Sequence, residues 1–118
     1  MIDMKEIIKL KETNKVANSE KCVAYEYLFG SGKTSLALIE MKNRYPDRGF
    51  AINKVFEEII FVLNGKGRIT IDGKSYDLTK NDAVMLKPGK KYYYEGDIKV
   101  LTFTSPAFKV ENHEVLNE

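Results

Sequence analysis

Glu57-Glu58-Ile59-Ile60-Phe61-Val62-Leu63-Asn64-Gly65-Lys66-Gly67 is the stretch on which the fold turns. From Glu58 to Leu63 it is an apolar run rich in β-branched residues, which suits a strand. Asn64-Gly65 follows at once and predicts a hairpin, because both residues tolerate positive φ. Arg68-Ile69-Thr70-Ile71 then alternates polar and apolar residues. Asp72-Gly73 is a second hairpin signal, and the chain returns through Lys74-Ser75-Tyr76-Asp77-Leu78.

The same pattern extends in both directions. Upstream, Ser35-Leu36-Ala37-Leu38-Ile39-Glu40-Met41 is short and apolar, as expected of a strand covered on both faces. Pro46-Asp47-Arg48-Gly49 reads as a turn. Downstream, Thr79-Lys80-Asn81-Asp82 is a loop and Ala83-Val84-Met85-Leu86 a short strand stopped by Pro88-Gly89. Tyr92-Tyr93-Tyr94 favours β structure. Glu95-Gly96-Asp97 predicts a turn into the alternating strand Ile98-Lys99-Val100-Leu101-Thr102-Phe103. Strands punctuated by turns roughly every eight to twelve residues describe a sandwich or barrel. Only the first dozen residues leave the choice open: residues 4–10 suit a short helix or an edge strand. Residues 106–118 are polar and read as a tail or an arm packed on the outside.

The 118 residues fit one domain. Its 19 Lys and Arg against 17 Asp and Glu leave a net charge of +2, too weak to imply a nucleic-acid partner. The single cysteine, Cys22, excludes an intramolecular disulfide. It lies in the apolar run Cys22-Val23-Ala24 and reads as a buried, inert thiol. No segment has the length and apolarity of a membrane span, and the start of the chain lacks the pattern of a secretory signal. A cytoplasmic setting is the expectation.

Glu58, six further residues and Gly65 resemble the second half of the first cupin motif. That motif runs Gly, five residues, His-x-His, three or four residues, Glu, six residues, Gly. Asn81-Asp82-Ala83-Val84-Met85-Leu86-Lys87-Pro88-Gly89-Lys90-Lys91-Tyr92 resembles the second motif, and Thr104-Ser105-Pro106-Ala107-Phe108 the close of many small cupins. The similarity spans residues 35–110 or so. It implies an all-β double-stranded β-helix, or jelly-roll barrel, as one cupin domain over residues 1–118, with the barrel proper at about 35–105.

In that family the barrel mouth holds a metal on two His, a Glu and a third His. The resemblance keeps the Glu as Glu58. It puts the paired His positions at Ile52 and Lys54 or at Ala51 and Asn53, and the last at Tyr92. The only histidine, His113, is expected to be an exposed tail residue. A transition metal needs three or more strong protein ligands, so neither a bound metal nor another cofactor is expected.

Alternation along a strand puts Glu58, Ile60 and Val62 on one face. If the resemblance holds, Glu58 points inward and needs a partner or a proton. Lys54, of the same parity, is the expected partner. Tyr92 and Tyr94 share a face and would offer two phenols to the same cavity. Lys54, Glu58, Tyr92 and Tyr94 are thus the candidate ligand-binding residues. The alternative is a charged strand start in water, with the tyrosines as bulky filler.

Gly30-Ser31-Gly32-Lys33-Thr34 imitates the end of a phosphate-binding loop. The glycine that the full pattern requires is replaced by Tyr27, and a strand follows where a helix is needed. A turn between strands at residues 23–29 and 35–41 is expected instead. Lys87, Lys90 and Lys91 are expected at the rim, where they would attract an anionic small molecule.

Three functions follow. The first is a metal-independent cupin that binds a small polar ligand in the barrel mouth. The second is a metal-independent sugar or sugar-nucleotide isomerase or epimerase, weakened because such enzymes use a His base or a Tyr–His pair. The third is a structural or interaction domain acting as a homodimer through its sheet edges and aromatic surface.

Overall fold

The computed structural model of the chain describes residues 5–117. Its strands run β1 (Asn14–Ser19), β2 (Cys22–Tyr27), β3 (Ser35–Met41), β4 (Arg44–Tyr45), β5 (Phe50–Asn53), β6 (Glu57–Ile71), β7 (Lys74–Thr79), β8 (Ala83–Leu86), β9 (Lys91–Ser105) and β10 (His113–Leu116). Two single 3-10 turns, Leu10–Glu12 and Val110–Asn112, complete the elements. The expected β class and jelly-roll barrel are what the chain forms.

The long strands β6 and β9 are its spine. They pair antiparallel from Glu57↔Ser105 to Ile71↔Tyr92. Their other neighbours fall into two groups. β3 pairs with the second half of β9, and β8 with the first half of β6. β4 and β5 pair with the first half of β9, and β7 with the second half of β6. Each long strand therefore passes from one sheet of the roll into the other.

That passage accounts for two expected turns that are absent. Asn64-Gly65 does not close a hairpin but sits at a bulge, where the register shifts between Val62 and Asn64. Gly65 has φ +88, and a Cβ there would lie 2.1 Å from Asp97 O. The extra residue reverses which parity points inward: Glu58, Ile60 and Val62 are buried before it, Ile69 after it. Glu95-Gly96-Asp97 likewise continues β9. Gly96, at φ +112, faces Gly67 in register, so the two backbones meet where no side chain fits. The Asp72-Gly73 hairpin does form, joining Ile71 to Lys74 with positive φ at both turn residues.

β2 and β3 pair in register from Cys22↔Met41 to Tyr27↔Leu36, with residues 28–34 as the connection. The phosphate-loop mimic is that connection, and a strand follows it. The N-terminus departs from expectation: residues 5–9 form neither helix nor strand, and residues 1–4 lie outside the described ones. Of the two readings of the C-terminal segment, the packed arm holds and the free tail does not: β10 adds to the sheet beside β5, with His113 opposite Asn53.

One part of the interior is filled by Ile60, Val62, Ile69, Leu78 and Leu86, each at most 4% exposed. The rest is hollow.

Candidate functional site: a cavity with a buried carboxylate

The cavity has a volume of about 410 Å³. Ile39, Met41, Ile98 and Val100 line it from β3 and β9, and Ala24 from β2. Exposed Leu28, Phe108 and Val110 stand on its lining too, marking an apolar opening. Glu58, Asn53, Tyr45, Tyr92, Tyr94 and His113 gather as its polar part. A volume of this order suits a small organic ligand.

Glu58 is 9% exposed and points inward from β6. Its Oε1 accepts a hydrogen bond from Asn53 Nδ2 at 2.9 Å. Asn53 Oδ1 lies 2.8 Å from His113 Nδ1. A carbonyl oxygen only accepts, so Nδ1 carries the proton. Burial holds the imidazole below its ordinary pKa and favours the neutral ring. Its Nε2 then accepts from the Tyr45 hydroxyl at 2.8 Å. The chain of donors runs one way, from Tyr45 through His113 and Asn53 to Glu58.

Burial pushes the Glu58 carboxyl up to about 7, and the Asn53 hydrogen bond offsets only part of that. Among the described residues, no lysine or arginine lines the cavity to offer the compensation that a buried charge requires. Tyr92 and Tyr94 pack edge to face with ring centroids 5.5 Å apart. Their phenols are raised well above the usual range, first by burial and then by the Glu58 charge. Among the described residues, neither hydroxyl has a protein partner, and neither does Glu58 Oε2. Among those residues, too, no fully enclosed side-chain polar atom lacks a hydrogen bond. These three oxygens therefore open onto the cavity.

The structure brings Glu58, Tyr92 and Tyr94 together and leaves Lys54 out. Lys54 extends outward and reaches Glu114, Nζ to Oε2 3.8 Å. Parity does not carry across the break between β5 and β6: odd residues point inward before it and even residues after it. Asn53, one position earlier, takes the expected role. The lysines expected at the rim do not line the cavity either. Lys87 pairs with Glu57 at 3.1 Å and Lys90 with Asp72 at 3.4 Å.

His113 is the main correction. It is not an exposed tail residue, because β10 docks on β5 and turns its ring inward. Composition gave no signal for this: a lone histidine in a polar segment looks solvated until strand pairing places it. Cys22 is 3% exposed, and burial pushes its thiol up to about 11, which suits an inert group.

Of the two registers left open for the missing histidines, the inward one is Ala51 and Asn53. Tyr92 stands opposite Ala51 and occupies the last position. An alkyl group, an amide, a phenol and one carboxylate do not make a transition-metal set. Both nitrogens of His113 are engaged, by Asn53 and Tyr45. Among the described residues, no three His, Cys, Asp or Glu converge.

Comparison with known proteins agrees with this architecture. A family model described as Cupin domain matches residues 55–103. An uncharacterized protein of Methanocaldococcus jannaschii, MJ1618, is 28% identical over 64 residues, 51% of each chain. The chain thus spans about half the length of the curated relative it matches. The Streptomyces nucleoside dehydratase Pac13 superposes with a TM-score of 0.86 at 13% identity, over 96% of this chain and 92% of Pac13. A protein from Planctomyces limnophilus is 23% identical over 93% of this chain and 96% of its own, with a TM-score of 0.79. Ectoine synthase from P. lautus follows at 0.74 and 18%, over 95% and 90%. At these identities the structural likeness is one of fold.

Proposed function

We propose that the chain, which has the cupin fold and matches a Cupin domain family model over residues 55–103, takes a small organic molecule into the barrel without the help of a metal. The ligand's carbon skeleton lies against Ile39, Met41, Ile98 and Val100. Its polar end meets Glu58 Oε2 and the hydroxyls of Tyr92 and Tyr94. The observation that carries this reading is those three oxygens, open to a hollow and, among the described residues, without protein partners. Chemistry of the donor set supports the metal-independent part, since imidazole is missing at each position where the family places it. Single-residue variants of Pac13 have been solved with uridine, which supports a barrel of this shape as a container for a ligand of that order of size.

The test is a thermal-shift and calorimetric screen of small alcohols, amines, carbonyl compounds and nucleosides, with total metal measured on the same sample. A ligand stabilises the fold in proportion to its occupancy. Hits that vanish in a Tyr92→Phe/Tyr94→Phe double variant support the reading. Stoichiometric transition metal contradicts its metal-independent part.

A second reading, proton-transfer catalysis, gains from one observation. The Tyr–His pair whose absence weakened an isomerase or epimerase is present as Tyr45–His113. A carboxyl pushed up to about 7 is matched to exchanging protons near neutral pH. A homodimer is also part of the proposal. Ile59 lies opposite Met85 on one side and Phe103 on the other, and the three are 42%, 43% and 39% exposed. Such an apolar row on an outer sheet face suits a second copy.

A further inference from the structure

Charge is unevenly shared between the outside of this protein and its cavity. The chain carries 19 lysines and arginines, yet among the described residues none lines the cavity. Two carboxylates do: Glu58 within and Glu26 from β2. Glu26 is held by Asn14, whose Nδ2 donates to Oε1 at 2.8 Å. The charge of Glu58 is met only by the Asn53 amide, and its Oε2 is open to the hollow. The other titratable groups lining the cavity are Tyr27, Tyr45, Tyr92, Tyr94, Cys22 and His113, and none of them is a cation in its ordinary neutral form. Burying a carboxylate without a counter-charge is costly. The faces of phenol rings, moreover, attract cations.

We propose that the ligand is a small organic cation, an amine with an apolar body, whose ammonium group pairs with Glu58 Oε2 beside Tyr92 and Tyr94. This rests on the small-molecule reading above and narrows it. Phosphorylated or carboxylated ligands, sugar nucleotides among them, are disfavoured, because they would bring negative charge to an acidic, cation-free chamber. The ammonium holds Glu58 ionised. Affinity for the amine therefore rises with pH through the range where the free carboxyl ionises and levels off above it.

The test is calorimetry with three probes of one length: n-hexylamine, 1-hexanol and hexanoate. A charge-assisted contact of this kind is expected to make the amine at least about tenfold tighter than the alcohol, with hexanoate weakest. Glu58→Gln should erase the amine's advantage, so that the two probes bind with similar affinity. Should that variant not fold, the wild-type pH series carries the test: amine affinity climbs between about pH 6 and pH 8 while that of the alcohol does not climb with it. Hexanol or hexanoate binding as tightly as the amine overturns the cation and leaves the pocket standing. A flat pH series for the amine does the same. Binding of none of the three removes the pocket as well.

Discussion

Asn53 stands between an acid and an imidazole, giving its Nδ2 proton to Glu58 at 2.9 Å and presenting its Oδ1 to His113 Nδ1 at 2.8 Å. One amide thus satisfies both groups and fixes the direction of every hydrogen bond from Tyr45 inward. Replacing Asn53 with Leu leaves a buried carboxylate and a buried ring N–H without partners. The expected loss is about 2–5 kcal/mol of stability, since each stranded group forfeits its desolvation. Urea denaturation at neutral pH checks this; a loss within about 0.5 kcal/mol would show that the amide carries no such load.

The tautomer of His113 is a second consequence. Nitrogen-15 NMR should show Nδ1 protonated and Nε2 bare in the neutral ring. Tyr45→Phe removes the donor to Nε2 and frees that nitrogen to take a proton, so the His113 pKa should move up toward its ordinary value. A ring protonated on Nε2 in the wild type would reverse the chain of donors and contradict it.

Stability should depend on pH through Glu58. Its folded pKa, about 7, lies well above the ordinary value of a glutamate in water. The folded state then binds the proton more tightly than the unfolded state. The stability that this proton confers is fully present below about 4.5 and is lost as pH rises through about 7. The shift corresponds to about 3 kcal/mol. Glu58→Gln keeps the acceptor for Asn53 and removes the charge, so it should flatten this slope and stabilise the protein above neutral pH. Parallel pH profiles of denaturant midpoints for the two proteins would count against a buried carboxylate.

Backbone geometry predicts a contrast between two glycines. A Cβ at Gly96 would meet Lys66 O at 2.5 Å and Gly67 Cα at 2.6 Å, whereas one at Gly73 would meet nothing within 4 Å. Both have positive φ. Gly73→Ala should therefore cost about 1 kcal/mol from backbone strain alone, and Gly96→Ala clearly more, because β6 and β9 must part. Equal losses in thermal denaturation would show that the close approach is not what requires glycine there.

The apolar row Met85–Ile59–Phe103 predicts self-association. Sedimentation equilibrium should report a dimer, and Phe103→Lys should shift it to monomer without unfolding the barrel. A wild-type monomer at concentrations of about 100 μM would remove this face as an interface for a second copy.

Much of the architecture is legible in the residues. The strands at 35–41, 57–63, 83–86 and 98–103 announce themselves by apolar runs and alternation, and Asp72-Gly73 by its turn chemistry. Gly65 and Gly96 mislead, because positive φ serves a bulge or a bend within a continuous strand as readily as a hairpin. Only long-range pairing between β6 and β9 decides between them. In the site, Glu58, Tyr92 and Tyr94 are found by alternation together with the family resemblance. Lys54 is misplaced because a break between strands resets parity. His113 and Tyr45 are missed because 68 residues separate them in the chain and only the docking of β10 brings them together.

The most direct test of the account is a carbon-13 NMR titration of the Glu58 side-chain carboxyl in the native protein. A buried acid facing a cavity without a counter-charge predicts a midpoint near 7, falling when n-hexylamine saturates the site. A midpoint near the ordinary carboxyl value of about 4.3, unmoved by the amine, would place Glu58 in water and contradict the site.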